Sequence, residues 1–214
     1  MPTSSTDLMP ARADGTVVLE GREDAYRGFF RIGRLRFRHS TYAGGEMAVT
    51  REVFERGQSV AVIIYDPDRD LVLLVEQVRA GAVAAGLDGW KAWMLEPVAG
   101  MVETGDVLED RVVLEAQEEA GVAFHSPLLG PVSSMPSPGG SSEIVHLYIG
   151  LADLSSAGGD HGLASEGEDV RAIVLPRAAA WDAALSYPAA STMTLLGLAW
   201  LDRKFPRRAS RINS

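Results

Sequence analysis

The sequence predicts an α/β fold built mainly from antiparallel hairpin strands, with few helices and a small all-β subdomain ahead of it. Three observations carry this expectation. Ser59 to Tyr65 (SVAVIIY) and Leu71 to Gln77 (LVLLVEQ) are apolar runs separated by DPDRD, and Asp and Pro between such runs form a turn, so the pair reads as a buried hairpin. Residues 27–39, RGFFRIGRLRFRH, alternate apolar and polar with period two, as half-exposed strands do. Helical periodicity is confined to 107–120 and two segments near the C-terminus, without the regular strand–helix alternation of a doubly wound sheet.

Taken in order, residues 1–16 read as a disordered tail, 17–56 as the β subdomain, 57–205 as the main domain and 206–214 as a basic, frayed tail. Within the subdomain, Arg31, Arg34, Arg36 and Arg38 interleave with Phe30, Ile32, Leu35 and Phe37, which predicts a sheet with one basic, solvated face. Gly81 to Trp90 reads as a Gly/Ala-rich loop before a strand around Trp93 to Val98. Helix 107–120 follows, with Val112, Val113, Ala116 and Ala120 as its apolar side. Glu143 to Ala152 and Val170 to Leu175 are further strands, separated by the polar loop SSAGGDHGLASEGED. Pro176 to Leu185 and Ser191 to Asp202 close the domain as helices.

The 214 residues suffice for one large domain, or one with a small appendage. A formal net charge of −9 disfavours nucleic acid as a partner, because phosphate-backbone binding needs a basic surface. It leaves room for a small phosphorylated ligand held by a few local arginines and metal ions. The absence of cysteine removes disulfides and thiolate metal sites. No signal-peptide core and no run of about eighteen apolar residues is present, so the expectation is a cytoplasmic protein with no membrane partner.

The chemistry concentrates in residues 94–122, MLEPVAGMVETGDVLEDRVVLEAQEEAGV, where a glycine-containing turn opens into a helix rich in carboxylates. Glu115, Glu118 and Glu119 share one helical face. Like charges placed so repel by a few tenths of a kcal/mol per pair, and a cation reverses that sign. Hard divalent ions take oxygen ligands and usually keep waters and substrate phosphate in their other positions. The long loop adds Glu166, Glu168 and Asp169, flanked by Gly162 and Gly167; a structureless loop of this length in a compact domain is uncommon and often functional. No G-x-x-x-x-G-K-[ST] loop, H-E-x-x-H or G-x-S-x-G elbow occurs, which removes the commonest other phosphate and acyl hydrolases.

The 100–122 segment resembles the Nudix hydrolase signature, G-x5-E-x7-R-E-U-x-E-E-x-G-U with U aliphatic. Gly100, Glu115, Ala116, Glu118, Glu119, Gly121 and Val122 fall in register, whereas Asp106 stands for Glu and Leu114 for Arg. Further segments resemble the ADP-ribose pyrophosphatase branch in the same order: YRGFF at Tyr26 to Phe30, REVFERG at Arg51 to Gly57, EQVR at Glu76 to Arg79, EPVAGM at Glu96 to Met101, SPGGSSE at Ser137 to Glu143 and HGLASEGEDV at His161 to Val170. Together they span about residues 20–203.

This resemblance implies a Nudix-type α/β/α sandwich with a mixed sheet, and an N-terminal β subdomain that pairs with its twin in a homodimer. It implies Glu115, Glu119 and the main-chain carbonyl of Ala99 as metal ligands, with the glycine turn bending the chain so that Ala99 faces the carboxylates. It makes Glu118 a further ligand and, with Glu166, a catalytic carboxylate; Glu166 activates water and Glu168 contacts metal. Arg79 would hold the diphosphate, for which arginine's planar fork is suited. Arg51 and Glu52 would reach the substrate from the subdomain, Phe29 would support adenine, Met101 would line the pocket, and Glu143 would bind the terminal ribose. The implied cofactor is Mg²⁺, with Mn²⁺ as a substitute. The implied reaction is metal-dependent hydrolysis of ADP-ribose to AMP and ribose 5-phosphate. Two alternatives stand beside it: another nucleoside diphosphate sugar such as GDP-mannose as substrate, or an ADP-ribose sensor weakened in catalysis by Asp106 and Leu114. Arg111, one turn before Glu115, is placed to replace the missing arginine; an exposed i,i+4 ion pair is the competing expectation.

Overall fold

The computed structural model describes residues 15–163 and 167–207. Its contacts divide the chain between Arg56 and Gly57 into two units, each with its own sheet, and assign Ser137–Glu143 to the first. That first unit is a three-stranded antiparallel sheet of β1 (Val17–Arg27), β2 (Arg31–Ser40) and β3 (Glu46–Glu55), in the order β1-β2-β3. Ser137–Glu143 is hydrogen-bonded to β3: Phe54 N donates to Gly140 O at 2.8 Å and Ser142 N to Phe54 O at 3.0 Å.

The expected basic face is corrected here. Antiparallel register sets Glu20, Glu23 and Asp24 of β1 and Glu46, Glu52 and Glu55 of β3 around the arginines of β2. Arg34 lies 3.1 Å from both Glu23 and Glu52, Arg38 lies 2.9 Å from Glu20, and Arg31 pairs with Asp24. Cross-strand pairing therefore converts the stripe into a ladder of alternating charge.

The second unit holds a mixed eight-stranded sheet. Its strands are β4 (Gln58–Asp66), β5 (Leu71–Val78), β6 (Trp93–Glu96), β7 (Val98–Met101), β8 (Leu129–Ser134), β9 (Ile144–Leu151), β10 (Gly159–His161) and β11 (Val170–Pro176). They run in the order β10-β11-β5-β4-β9-β8, with β6 on β5 and β7 on β4; β4 and β9 pair in parallel, and the other pairs are antiparallel. Asp66 builds the predicted β4–β5 turn, accepting from the N–H groups of Asp68 and Arg69 at 3.0 and 3.1 Å.

Helix α2 (Leu108–Ala120) covers one sheet face and helices α3 (Arg177–Ser186) and α4 (Thr192–Lys204) the other, giving the expected sandwich. Alternate residues of β4 show this directly. Val60, Val62 and Ile64 pack with Val112, Ala116 and Ala120, whereas Ala61, Ile63 and Tyr65 pack with Ala180, Ala184, Leu198 and Leu201. Burial on both faces explains why the central strands read as unbroken apolar runs rather than alternating ones. Val113, predicted on the apolar side of α2, is exposed instead. The buried positions follow the stripe 112, 115, 116, 119 and 120, so two glutamates are buried beside the apolar residues of the helix.

Residues 81–90 depart from the predicted loop: α1 (Ala80–Ala84) and a 3₁₀ turn (Gly89–Ala92) lie there. The short strands β8 and β10 were not anticipated. Pro131 interrupts the strand pattern of β8, and β10 is only three residues at the sheet edge.

Candidate active site

Strand β7 and helix α2 meet where the Gly105 turn reverses the chain, and two buried glutamates reach back from the helix to the strand. Ala99 N donates to Glu119 Oε2 at 3.1 Å. Gly100 comes so close to Glu115 that a Cβ there would stand 1.8 Å from Glu115 Oε1. Its requirement is therefore space rather than a bend: Gly105, at φ +100°, supplies the turn, and Gly100 leaves room for a carboxylate. Asp106 completes the turn by accepting from Glu103 N at 2.9 Å. At the far end of α2, Gly121 takes the left-handed conformation that ends a helix.

Both glutamates are desolvated. Burial raises the Glu119 carboxyl from 4.5 to about 8; Glu115 and Glu168 push the same way, and the Ala99 N–H and Arg79 oppose them. Burial likewise raises Glu115 to about 7, opposed by the charge of Arg111 and reinforced by Glu118 and Glu168. A buried carboxylate cluster short of positive charge is stabilised by a cation, and its hard oxygen donors suit a divalent one. Among the described residues no three acidic or imidazole groups already converge as a ligand set. Glu119 instead bonds the Ala99 amide, and Glu115 pairs with Arg111 at 2.8 Å. The donor set fits a divalent metal in its chemistry, all hard oxygen donors, while its carboxylates are held by Ala99 and Arg111.

Glu118 lies half-buried on the same helix, and its backbone carbonyl accepts from Gly162 N at 3.4 Å, tying the start of the long loop to α2. Glu168 is close enough to raise both buried glutamates, whereas Glu166 lies outside the described residues. Arg79 follows β5 and caps the start of α1, and its Nε is 2.5 Å from Glu96 Oε2. Glu96 was not singled out from the sequence, although EPVAGM contains it. Met101 ends β7, partly exposed.

The remaining predicted binding residues belong to the N-terminal unit. Phe29 is 90 % exposed and stands edge-on to Phe30, whose ring also meets Phe54 and carries the Arg56 guanidinium 5.0 Å from its centre. Arg51 Nη1 donates to Thr50 O at 2.8 Å, Glu52 is engaged with Arg34, and Glu143 lies 3.4 Å from Arg56.

A mixed sheet between helices, with a carboxylate helix over a glycine strand, defines the class as an α/β/α sandwich. The NUDIX domain matches residues 46–194, and the chain belongs to the Nudix family. It is 40% identical over 186 residues to an ADP-ribose pyrophosphatase of Haemophilus influenzae, covering 86% of this chain and 85% of that protein. An ADP-ribose pyrophosphatase of Escherichia coli K12 is also 40% identical, over 189 residues, covering 86% and 87%. A GDP-mannose pyrophosphatase of Cronobacter sakazakii is 32% identical over 127 residues, covering 59% of this chain and 63% of that one. A crystal structure of an ADP compounds hydrolase shares the fold with TM-score 0.63 at 15% identity, over 88% of this chain and 96% of that one. Nudix pyrophosphatases of this kind depend on a divalent metal.

Proposed function

We infer that the protein is an ADP-ribose pyrophosphatase that adds water across the diphosphate of ADP-ribose, giving AMP and ribose 5-phosphate. The observation that carries this reading is the pair of buried, undercompensated carboxylates of Glu115 and Glu119 against Ala99 and Gly100. Its agreement with the ADP-ribose pyrophosphatases over most of the chain favours this substrate over GDP-mannose, whose hydrolases match a shorter stretch at lower identity.

Glu115, Glu119 and the Ala99 carbonyl would hold Mg²⁺ or Mn²⁺, with Glu118 and Glu168 completing the oxygen shell. When bound, such a cation neutralises phosphoryl charge and makes hydroxide available near neutral pH. Glu166 would take the proton of the attacking water. Arg79, oriented by Glu96, would grip the diphosphate, and its guanidinium matches paired phosphate oxygens. Met101 would line the same pocket. Phe29, Arg51, Glu52 and Glu143 would contact adenosine and terminal ribose.

The three-stranded sheet supports a homodimer. Its large apolar side chains Val17, Val18, Leu19, Tyr26 and Met47 are exposed, and three such strands have no second layer of their own. Light scattering at micromolar concentration should return twice the chain mass; a monomer would remove that assembly. A cytoplasmic location fits the sequence, and among the described residues no helix is long and apolar enough to cross a membrane.

The deciding experiment compares ADP-ribose with GDP-mannose in Mg²⁺ and in Mn²⁺, following nucleoside monophosphate released. ADP-ribose should give the highest kcat/KM. A GDP-mannose preference would reassign the substrate, and calorimetric binding of ADP-ribose without turnover would make the protein a sensor.

A further inference from the structure

The second unit carries a pocket on the sheet face opposite the carboxylate helix. It encloses about 550 Å³ and is lined by Glu76, Trp90, Trp93, Asp160, Asp169, Arg171, Ser186 and Tyr187. Strand alternation fixes its side. Val75 packs in the cluster under α2 while Leu74 packs under α3 and α4, so Glu76 opens on the α3/α4 face. Leu95 and Ile173 belong to that same cluster, which places Trp93 and Arg171, two residues along their strands, on the same side. The volume lies in the range of small-molecule sites.

Charge and shape there favour one class of ligand. Three carboxylates face one guanidinium, and that guanidinium is already engaged, with Arg171 Nε 2.7 Å from Asp160 Oδ1. Glu76 accepts from the Tyr187 hydroxyl, and burial with this contact holds the phenol neutral by raising its pKa. Helix α3 ends at the pocket with no basic residue in its last turn, where Ala183 O accepts from Ser186 Oγ at 2.7 Å, and the negative end of its dipole adds partial negative charge. Against this excess stand three aromatic side chains, Trp90, Trp93 and Tyr187, of which Trp90 is 63 % exposed. Aromatic faces attract weakly hydrated cations, whereas Mg²⁺ keeps its waters and prefers oxygen shells.

We propose that this pocket binds a small organic cation, a quaternary ammonium or guanidinium group, at a site separate from the diphosphate chemistry on the other sheet face. Its negative carboxylates and helix terminus attract the charge, and its indoles replace the water the cation sheds.

The test titrates the ¹⁵N-labelled full chain with choline chloride at constant ionic strength, following the indole N–H resonances. Trp90 and Trp93 should shift and saturate. Trp181, bonded to Asp202 at 3.0 Å, and Trp200, partly buried against the core under α3 and α4, should not. The uncharged isostere 3,3-dimethylbutan-1-ol should bind at least about fivefold more weakly, and Trp90→Ala should weaken choline by a similar factor. Glu76→Gln, which keeps an acceptor for Tyr187 while removing the charge, should also weaken it. Equal binding of the neutral isostere, unsaturating drift of all four indoles, or unchanged affinity in both variants would each overturn the proposal.

Discussion

The two units handle their acidic residues in opposite ways. In the N-terminal sheet the arginines of β2 stand between acids on both neighbouring strands, and the pairs lie at the surface. On α2 the acids gather on a buried face with too little positive charge nearby, and their pKa values rise. Exposed pairs of the first kind contribute little to stability and are screened by salt. A buried, undercompensated cluster of the second kind costs folding free energy unless something binds to it. The contrast separates charges that solvate a surface from charges that wait for a ligand.

The hardest test of that contrast is Glu119→Gln. It preserves the bond from Ala99 N while deleting the charge, so the fold should persist and kcat should fall by several orders of magnitude. Chelator should abolish activity in the wild type, and Mg²⁺ or Mn²⁺ should restore it. Near-wild-type turnover in Glu119→Gln would place the cation elsewhere.

Next in size is the water-activating group. Glu166→Gln should lower kcat by ~10²–10⁴-fold with little change in KM, as loss of a general base does. If Glu168→Gln is the more damaging, the two loop glutamates exchange roles.

A third test uses pH. With their carboxyls raised from 4.5 to about 7 and about 8 in the folded protein, Glu115 and Glu119 bind more protons folded than unfolded between those values. The unfolded chain gives up its protons first, so stability contributed by these groups is present at low pH and lost as pH climbs toward 8. In EDTA, the melting midpoint of wild type relative to Glu119→Gln should therefore fall from pH 5.5 to pH 8, and Mg²⁺ should raise it most at pH 8. A pH-independent difference would show that Glu119 ionises normally.

Part of this site was legible in the sequence because spacing alone puts Glu115, Glu118 and Glu119 on one helical face, and unbroken apolar runs mark the central strands. What was hidden depended on partners distant along the chain. The arginine stripe looked basic because a single strand does not reveal which acids its neighbours place opposite. Gly100 looked like a hinge because its crowding by Glu115 arises only when α2 packs on β7. Glu96 gave no signal as the partner of Arg79, since strand pairing of β5 with β6 brings them together. The parallel pairing of β4 with β9 was equally invisible, as it joins strands far apart in the chain.

Arg111 tests the boundary between the two kinds of charge. It stands one turn before Glu115, as a surface i,i+4 partner would, yet its side chain is only 25 % exposed and that of Glu115 only 9 %. Its Nε lies 2.8 Å from Glu115 Oε1, and the charge of Arg111 opposes the rise that burial gives the Glu115 carboxyl. Leu114, where the family signature has arginine, is 44 % exposed and offers no charge. Arg111 is thus the cation α2 itself supplies to this carboxylate, beside the strand it must face. If it positions Glu115, Arg111→Ala should weaken Mg²⁺ affinity, measured calorimetrically without substrate, by about tenfold, or ~1.4 kcal/mol. Arg111→Lys should recover part of the loss by restoring charge without the planar fork. The matched control is Arg38→Ala in the N-terminal ladder, where Glu20 loses an exposed partner and the melting midpoint should move by a few degrees at most. Wild-type metal affinity in Arg111→Ala would place the Arg111–Glu115 pair with that ladder, as a surface contact that leaves the site unchanged.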